Sequence, residues 1–252
     1  DLYGVMQYAA IDEPRQEKEG WLIEGASTNL LTYSEALNNH QKIMTSIVDN
    51  VIVAAGITFS EMTEDSSNTT HECRPNTLDV TSGEKLSLSF FAKAKERGIV
   101  AIRWATGGGA GTASFDLIQG VVISNNYLSA DIKYLSDGVY RCSIVVEATG
   151  TDADTAIRLQ MRDSQDTNSY QGDGVSGVYM TGIQCERLPF TSSYIPTTDT
   201  PVTRAADRVS ADGTDNMPLL SSANTVSLTV SALGFNANRN QDIFAAFADD
   251  VY

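Results

Sequence analysis

The chain has 252 residues, of which 42% are hydrophobic and 19% are charged, a composition typical of a globular protein rather than a disordered one. Its formal net charge of −15 disfavours nucleic acid and anionic membranes as partners, because both repel an acidic surface. No apolar run approaches the ~20 residues that a membrane-spanning helix needs, so we also expect no membrane insertion.

The N-terminal part is predicted to be a lead-in segment, residues 1–24, followed by one large domain over residues 25–208. Helical periodicity is scarce along this domain. The pattern allows one short helix near residues 33–39.

Five later segments alternate apolar and polar residues, which is the pattern of a strand with one buried face. These segments are 86–93, 99–105, 139–147, 156–162 and 175–185. In the fourth segment, Ile157, Leu159 and Met161 share the apolar side. Trp104 lies on the apolar side of the second segment, so we expect it to pack in the core. The sequence therefore predicts an all-β protein with a jelly-roll or Greek-key β-sandwich.

The C-terminal part changes in composition. A stretch rich in Pro, Ser, Thr and Asp predicts a linker over residues 209–224. Alternation resumes at Thr225, so residues 225–252 are predicted to be an incomplete β segment of a following domain.

Signatures of catalysis are few. The two histidines, His40 and His71, have no plausible set of catalytic partners close in sequence, and no G-x-S-x-G motif is present. Acidic residues are abundant, but nothing in the sequence marks one pair as the carboxylates of a glycosidase. We therefore expect no enzymatic activity. The three cysteines are odd in number and far apart, which predicts buried free thiols.

The candidate ligand-binding residues occupy the polar positions of the alternating strands. Guanidinium and amide groups offer fixed donors for sugar hydroxyls and carboxylates, so we predict recognition of an acidic or hydroxyl-rich glycan. An alternative is that these side chains only provide the polar outer face that any strand needs, or that they are divided between two sheets. The candidates are Phe91, Lys93, Arg103, Arg141, Arg158, Gln160 and Arg162. Phe91, Tyr134 and Tyr170 are the candidate aromatic residues for stacking on sugar rings.

Two acidic loops contain oxygen ligands of the kind that calcium prefers. They are residues 163–168, with Asp173 beyond, and residues 212–215. Neither matches the calcium-loop spacing D-x-D-x-D-G, so the favoured interpretation is that both are solvated turns.

Two blocks of sequence resemble a known family. Residues 20–35, GWLIEGASTNLLTYSE, are similar to the opening block of sandwich modules in bacteriophage tail and tail-fibre proteins. Residues 184–186, 191–198 and 202–207 resemble the closing block of the same modules, which reads approximately Q-L-E, T-S-Y-I-P-T and V-T-R-A-A-D. The resemblance covers about residues 20–210.

The resemblance implies a jelly roll similar to carbohydrate-binding modules, often followed by a concanavalin-like sandwich. It also implies a structural calcium ion, for which Glu35 and Glu186 are the matching positions. For Arg204 and Asp207, in the most recognisable motif, we predict a local role as an ion pair or turn anchor at the exit of the chain.

Together these features lead to one functional hypothesis and two alternatives. We expect a non-catalytic virion component, a tail-fibre or spike accessory domain that recognises host-surface polysaccharide and contacts other virion subunits. The first alternative is a decoration or assembly module of a capsid or baseplate, which would fit a homo-oligomer. The second is part of a polysaccharide depolymerase.

Overall fold

The structure, a computed structural model, describes residues 5–7, 15–17, 20–105 and 110–207. These residues belong to one compact unit, Asp1–Ser210. The predicted linker, the predicted C-terminal β segment and the acidic loop at 212–215 lie outside the described residues.

The described residues form short and long β-strands. In chain order the strands are β1 (Arg15–Glu17), β2 (Gly20–Leu22), β3 (Ser27–Asn29), β4 (Gln41–Ile43), β5 (Thr45–Ala54), β6 (Ile57–Glu64), β7 (Asn68–Thr69), β8 (His71–Arg74), β9 (Leu78–Val80), β10 (Lys85–Ala94), β11 (Ile99–Trp104), β12 (Gly111–Asp116), β13 (Val121–Asn125), β14 (Ser129–Tyr134), β15 (Val139–Glu147), β16 (Asp152–Thr155), β17 (Ile157–Arg162), β18 (Tyr170–Gln171), β19 (Gly177–Glu186) and β20 (Val202–Arg204). A 3₁₀-helix covers Leu37–Asn39, inside the stretch where the sequence predicts a short helix. Within the described parts of the chain, no helix has the length and apolar character that crossing a membrane would require.

Two antiparallel sheets of six strands form the sandwich. The first sheet has the order β14-β15-β10-β19-β6-β5, and the second has the order β13-β12-β11-β17-β8-β4. The remaining strands pair in twos: β1 with β2, β3 with β20, β7 with β18 and β9 with β16. The five predicted strands correspond to β10, β11, β15, β17 and β19, so the predicted all-β sandwich is confirmed.

The main core lies between the two sheets. Phe90 of β10 and Phe115 of β12 meet edge to face, with ring centroids 6.4 Å apart. Trp104 is fully buried in this cluster, as predicted. The three cysteines, Cys73, Cys142 and Cys185, are free and buried, which confirms that prediction. Burial raises the pKa of the Cys73 thiol to about 12, which leaves it protonated and unreactive at neutral pH.

A second apolar cluster covers the outer face of the first sheet. Phe91 points away from the main core, yet it is only 1% exposed. The segment 188–198 lies over this face and places Tyr194 edge-on to Phe91, with ring centroids 5.6 Å apart. Gly182, in the neighbouring strand, has a φ of +61°, and a Cβ there would lie 2.5 Å from the Phe91 ring. The first sheet is therefore covered on both sides in this region.

Asn29 joins the two sequence blocks that resemble phage tail modules. Its side-chain nitrogen donates to the carbonyl oxygens of Ile183 (3.0 Å) and Ile195 (2.9 Å). Its side-chain oxygen accepts from the amides of Leu31 and Cys185, each at 3.1 Å. Since the residue is fully buried, this part of the motif is structural.

Four charged residues link the N-terminal segment to the C-terminal end of the described chain. Glu24 accepts hydrogen bonds from Arg15 (2.7 Å) and from Arg204 (2.6 Å). Asp207 pairs with Arg15 and accepts a hydrogen bond from the Glu24 amide at 2.7 Å. These contacts hold Arg15 and Glu24 against Arg204 and Asp207, which confirms the predicted local role of Arg204 and Asp207.

Candidate functional site

The structure divides the seven predicted ligand-binding residues between the two sheets. Strands β10 and β15 lie in the first sheet, while β11 and β17 lie in the second. The seven residues therefore do not share one surface, and the alternative of a division between two sheets is confirmed. The first-sheet residues are Phe91, Lys93 and Arg141, and the second-sheet residues are Arg103, Arg158, Gln160 and Arg162.

The first-sheet residues do not form an open polar face. Phe91 lies beneath Tyr194, so its predicted role as an exposed stacking aromatic is wrong. Arg141 donates to the Ser89 hydroxyl (3.0 Å) and to the Ser192 carbonyl (2.8 Å). Its guanidinium lies 5.6 Å from the centre of the Phe91 ring. Burial lowers the pKa of Arg141. Lys93 donates to the carbonyl of Asp137.

The other two stacking candidates lie apart from each other. Tyr170 is buried, and its hydroxyl donates to Glu64 over 2.6 Å. Tyr134 is 55% exposed on edge strand β14, where its ring packs edge-on to Tyr140. Of the three predicted aromatics, Tyr134 alone keeps an accessible ring.

The second-sheet residues lie side by side on the outer face of β11 and β17. Arg103 is directly opposite Arg158, while Gln160 is opposite Ala101 and Arg162 is opposite Ile99. On the other side of β17, Gln160 is opposite Glu72 of β8. Because directly opposite residues of an antiparallel pair point to the same face, these side chains form one polar row.

Glu72 is the buried anchor of this row. Its carboxylate accepts hydrogen bonds from Gln160 Nε2 (2.7 Å) and Arg74 Nε (2.6 Å), and its Oε1 lies 3.5 Å from Arg158. The Gln160 oxygen in turn accepts from Arg162 over 2.9 Å. Sequence reasoning missed Glu72, although the alternation of β8 was a signal that it shares the polar parity. These hydrogen bonds hold the side chains of the row in fixed orientations without a ligand.

A polar cleft of about 440 Å³ lies beside this row. Its walls come from the ends of β12 and β13 and from the loop at 163–168, which follows β17. Its lining includes Arg103, Ser114, Asn126, Arg162, Asp166 and Asn168. Arg162 is only 6% exposed. It also lies 3.5 Å from the Asp166 carbonyl, so it forms part of the floor.

Several buried polar atoms at this face have no hydrogen-bond partner among the described residues. They are donors at Arg158 Nε and Arg162 Nε, and acceptors at Asp166 Oδ1 and Asn168 Oδ1. Buried polar atoms in proteins are nearly always paired, so unpaired ones require a reason. Burial lowers the pKa of Arg162, and the nearby Asp166 offsets part of that effect. The cleft thus presents both donors and acceptors that a polar ligand would satisfy.

Glu186, one of the two predicted calcium positions, makes hydrogen bonds within the protein. Glu186 is fully buried, and its carboxylate accepts hydrogen bonds from the Ser27 hydroxyl (2.6 Å) and the Ser192 amide (3.0 Å). In the part of the chain that is described, no three or more His, Cys, Asp or Glu side chains group together as metal ligands. Calcium at Glu35 and Glu186 stays a prediction.

The acidic loop at 163–168 folds as a turn stabilised by its own side chain. Asp163 Oδ1 accepts from the amides of Gln165 (3.0 Å) and Thr167 (2.7 Å). Asp173 likewise accepts from the amides of Val175 and Ser176. This arrangement agrees with the favoured interpretation of a turn.

Comparisons with known proteins find similarity in backbone structure alone. No known protein-family profile matches the sequence, and no curated protein matches it. The enzymatically active domain of tailspike protein 4 from bacteriophage CBA120 aligns with a TM-score of 0.37 and 13% identity, over 62% of this chain and 21% of that chain. The CBM22-1–GH10 modules of Clostridium thermocellum xylanase 10B, complexed with xylohexaose, align with a TM-score of 0.40 and 12% identity, over 68% and 30%.

A third solved structure is the mannan-recognising carbohydrate-binding module TmCBM27. It aligns with a TM-score of 0.34 and 10% identity, over 66% of this chain and 98% of that chain. Carbohydrate-binding modules and glycan-acting domains are thus among the structures similar to this chain. Because the TM-scores are low, the function of the chain has to be inferred from its own residues.

Proposed function

We propose that this chain is a non-catalytic module that recognises a polysaccharide in the polar cleft on the second sheet. The observation that carries the proposal is the set of unpaired polar atoms at the cleft. In the part of the chain that the structure describes, Nε of the buried floor residue Arg162 and one oxygen each of Asp166 and Asn168 have no hydrogen-bond partner. A sugar hydroxyl both donates and accepts hydrogen bonds. It therefore suits a site that presents unpaired groups of both kinds.

The size and rigidity of the cleft support a small polar ligand. Its volume of about 440 Å³ lies within the ~300–1,000 Å³ typical of small-molecule sites. Its floor is held by the network from Glu72 through Gln160 to Arg162. A preformed site loses little conformational entropy when it binds, which favours recognition.

The arrangement of carboxylates supports binding without cleavage. A glycosidase needs two carboxyl groups that flank the scissile bond. At this face Glu72 is buried and already contacted by three side chains. Among the described residues that line the cleft, Asp166 is the one carboxylate, which does not make the pair that cleavage needs. Release of reducing ends from a bound polysaccharide would instead support the depolymerase alternative.

The virion context of the proposal comes from the two sequence blocks that resemble phage tail modules. Those blocks form the structural junction around Asn29 and Glu24, away from the cleft residues. In this proposal, that junction joins the module to a tail fibre or spike, and the cleft faces a host-surface polysaccharide.

The test is binding of the full chain to an array of bacterial surface polysaccharides, with and without a double substitution at the cleft. Asn126→Ala with Asn168→Ala removes two polar side chains from the lining, at about 1 kcal/mol each. We expect binding to weaken about tenfold or more. The matched control, Asn38→Ala with Asn39→Ala, changes two exposed asparagines of the 3₁₀-helix and should bind as the wild type does.

Two results would contradict the proposal. Binding to no polysaccharide would be the first. A stable oligomer that survives high salt and covers the cleft would be the second, and it would favour the assembly-module alternative.

A further inference from the structure

Three arginines lie close together on this face of the second sheet: Arg103 and Arg162 line the cleft, and Arg158 lies beside them on β17. Arg103 is directly opposite Arg158 on adjacent strands, and Arg162 follows on the same face of β17. Like charges directly opposite each other in an antiparallel pair destabilise a sheet unless counter-charges compensate them. Burial and the nearby charge of Arg103 both act to lower the pKa of Arg158 and of Arg162.

The protein supplies counter-charge to only part of this cluster. Glu72 forms ion pairs with Arg74 and Arg158. Among the described residues, no carboxylate lies within ion-pair distance of Arg103 or Arg162.

Nearby carboxylates on this face are engaged elsewhere. Asp116 Oδ1 accepts from the amides of Ile118 (2.7 Å) and Gln119 (2.9 Å). Asp163 accepts from two amides of its own turn. Asp166 is the exception, since one of its oxygens lacks a partner at the rim of the cleft. Among the described residues, Arg103 and Arg162 thus lack an ion-pair partner, and the charge of nearby Asp166 offsets that of Arg162 only in part.

This local charge is opposite in sign to the rest of the molecule. The chain as a whole has a net charge of −15, so general attraction of anions does not explain the cluster. Arginine is the side chain best suited to a carboxylate, because its planar guanidinium donates two parallel hydrogen bonds.

We infer that the cleft selects a carboxylate-bearing sugar, a uronic acid unit within an acidic polysaccharide. The inference rests on the proposed function and narrows its ligand. The carboxylate lies at Arg103 and Arg162, and sugar hydroxyls donate to the unpaired oxygens of Asp166 and Asn168. In this arrangement the ligand carboxylate pairs with the arginine side chains, and the sugar hydroxyls pair with the side-chain oxygens that otherwise lack a partner among the described residues.

The experiment compares three kinds of probe with the full chain by isothermal titration calorimetry. The first kind is uronate oligomers, made from polygalacturonate, alginate and hyaluronan. The second is the same oligomers after chemical reduction of their carboxyl groups to alcohols, and the third is dextran sulfate. We expect at least one uronate oligomer to bind at least ~10-fold more tightly than its reduced form, which corresponds to about 1.4 kcal/mol. That advantage should shrink as salt is added.

A substitution at Arg103 tests whether this residue causes the preference for the acidic oligomer. Arg103→Gln should reduce the preference for the acidic oligomer to about twofold or less while binding of the reduced oligomer changes little. Arg103 lies at the cleft and is only partly buried, so the fold should tolerate the change. The matched control is Arg187→Gln, which alters a surface ion pair with Glu84 at the end of β19 and should leave the preference intact.

The outcomes separate this inference from the proposed function. Equal binding of acidic and reduced oligomers would overturn the inference and leave glycan recognition standing. Tighter binding of dextran sulfate than of any uronate oligomer would overturn it in favour of a sulfated ligand. Binding of none of the probes, together with an empty polysaccharide array, would overturn both.

Discussion

Asn29 explains at the scale of one residue why the opening sequence block is so recognisable. Both side-chain donors and the side-chain acceptor of this buried amide are used, and they link β3 to β19 and to residue 195. Another side chain of similar size would not offer two donors and an acceptor in this geometry. The motif is therefore explained by packing and hydrogen bonding at the junction.

Asn29→Ala should destabilise the protein by about 3 kcal/mol, because it leaves several buried backbone groups without partners. Urea unfolding of the full chain measures the change. Asn38→Ala is the matched control, since Asn38 is exposed and its side chain accepts one hydrogen bond from Lys42. It should change stability by no more than about 0.5 kcal/mol. Equal unfolding midpoints for both variants would contradict the structural role of Asn29.

The cleft residues show, again at the scale of single residues, what the alternation along a strand can and cannot predict. Alternation correctly places Arg158 and Arg162 away from the main core. It leaves open whether the outward residues share one surface or are divided between two sheets, and the structure shows the second arrangement. Parity along a strand says which side of a sheet a residue takes, but not which sheet the strand joins.

At the scale of elements, the segment 188–198 decides the character of the first sheet. It covers the outer face of β10 and brings Tyr194 onto Phe91. The Tyr194 hydroxyl and the Ser34 hydroxyl are 2.6 Å apart. This cover makes the outer face of the first sheet a second core.

Tyr194→Ala should remove the centre of this cover. We expect a loss of about 3 kcal/mol in the free energy of unfolding, as for other large aromatic residues truncated in a core. Binding of a hydrophobic fluorescent dye should also rise, because Phe91 becomes exposed. Tyr134→Ala, at a ring that is 55% exposed, is the matched control and should change both measurements little. If the two variants behave alike, the segment does not stabilise the first sheet.

At the scale of the whole molecule, buried charge networks determine how stability depends on pH. Glu64, at the end of β6, accepts hydrogen bonds from Arg97 (2.8 Å), Tyr170 (2.6 Å) and the Asp173 amide (2.9 Å). Burial by itself raises the pKa of Glu64, but these hydrogen bonds outweigh it and hold that pKa below the ordinary 4.5. Because the folded-state pKa is the lower one, the contribution of Glu64 to stability is present above pH 4.5 and is lost as pH falls through the folded-state pKa.

Glu64→Gln should therefore cost stability in a pH-dependent way. At pH 7 we expect a loss of about 2 kcal/mol, the usual value of hydrogen bonds to a charged group. At pH 3 the difference from the wild type should be clearly smaller. Urea unfolding at the two pH values measures it, with the exposed Glu147→Gln as a control. A difference that is the same at both pH values would contradict the assigned role.

The sequence by itself determined the class of the fold and most of its long strands. The alternation in 86–93, 99–105, 139–147, 156–162 and 175–185 depends on local geometry, since successive side chains of a strand point to opposite faces. The burial of Trp104 followed from the same local pattern, whereas that of the three cysteines was predicted from their odd number and wide spacing.

The tertiary structure alone decided where the candidate site lies. The assignment of strands to sheets depends on contacts between residues far apart in sequence, such as the pairing of Gln160 with Glu72. Covering of one outer face by the segment 188–198, and the formation of a cleft on the other face, depend on where connecting segments fold. A strand pattern carries no information about those long-range contacts, because its period is set by neighbouring residues alone.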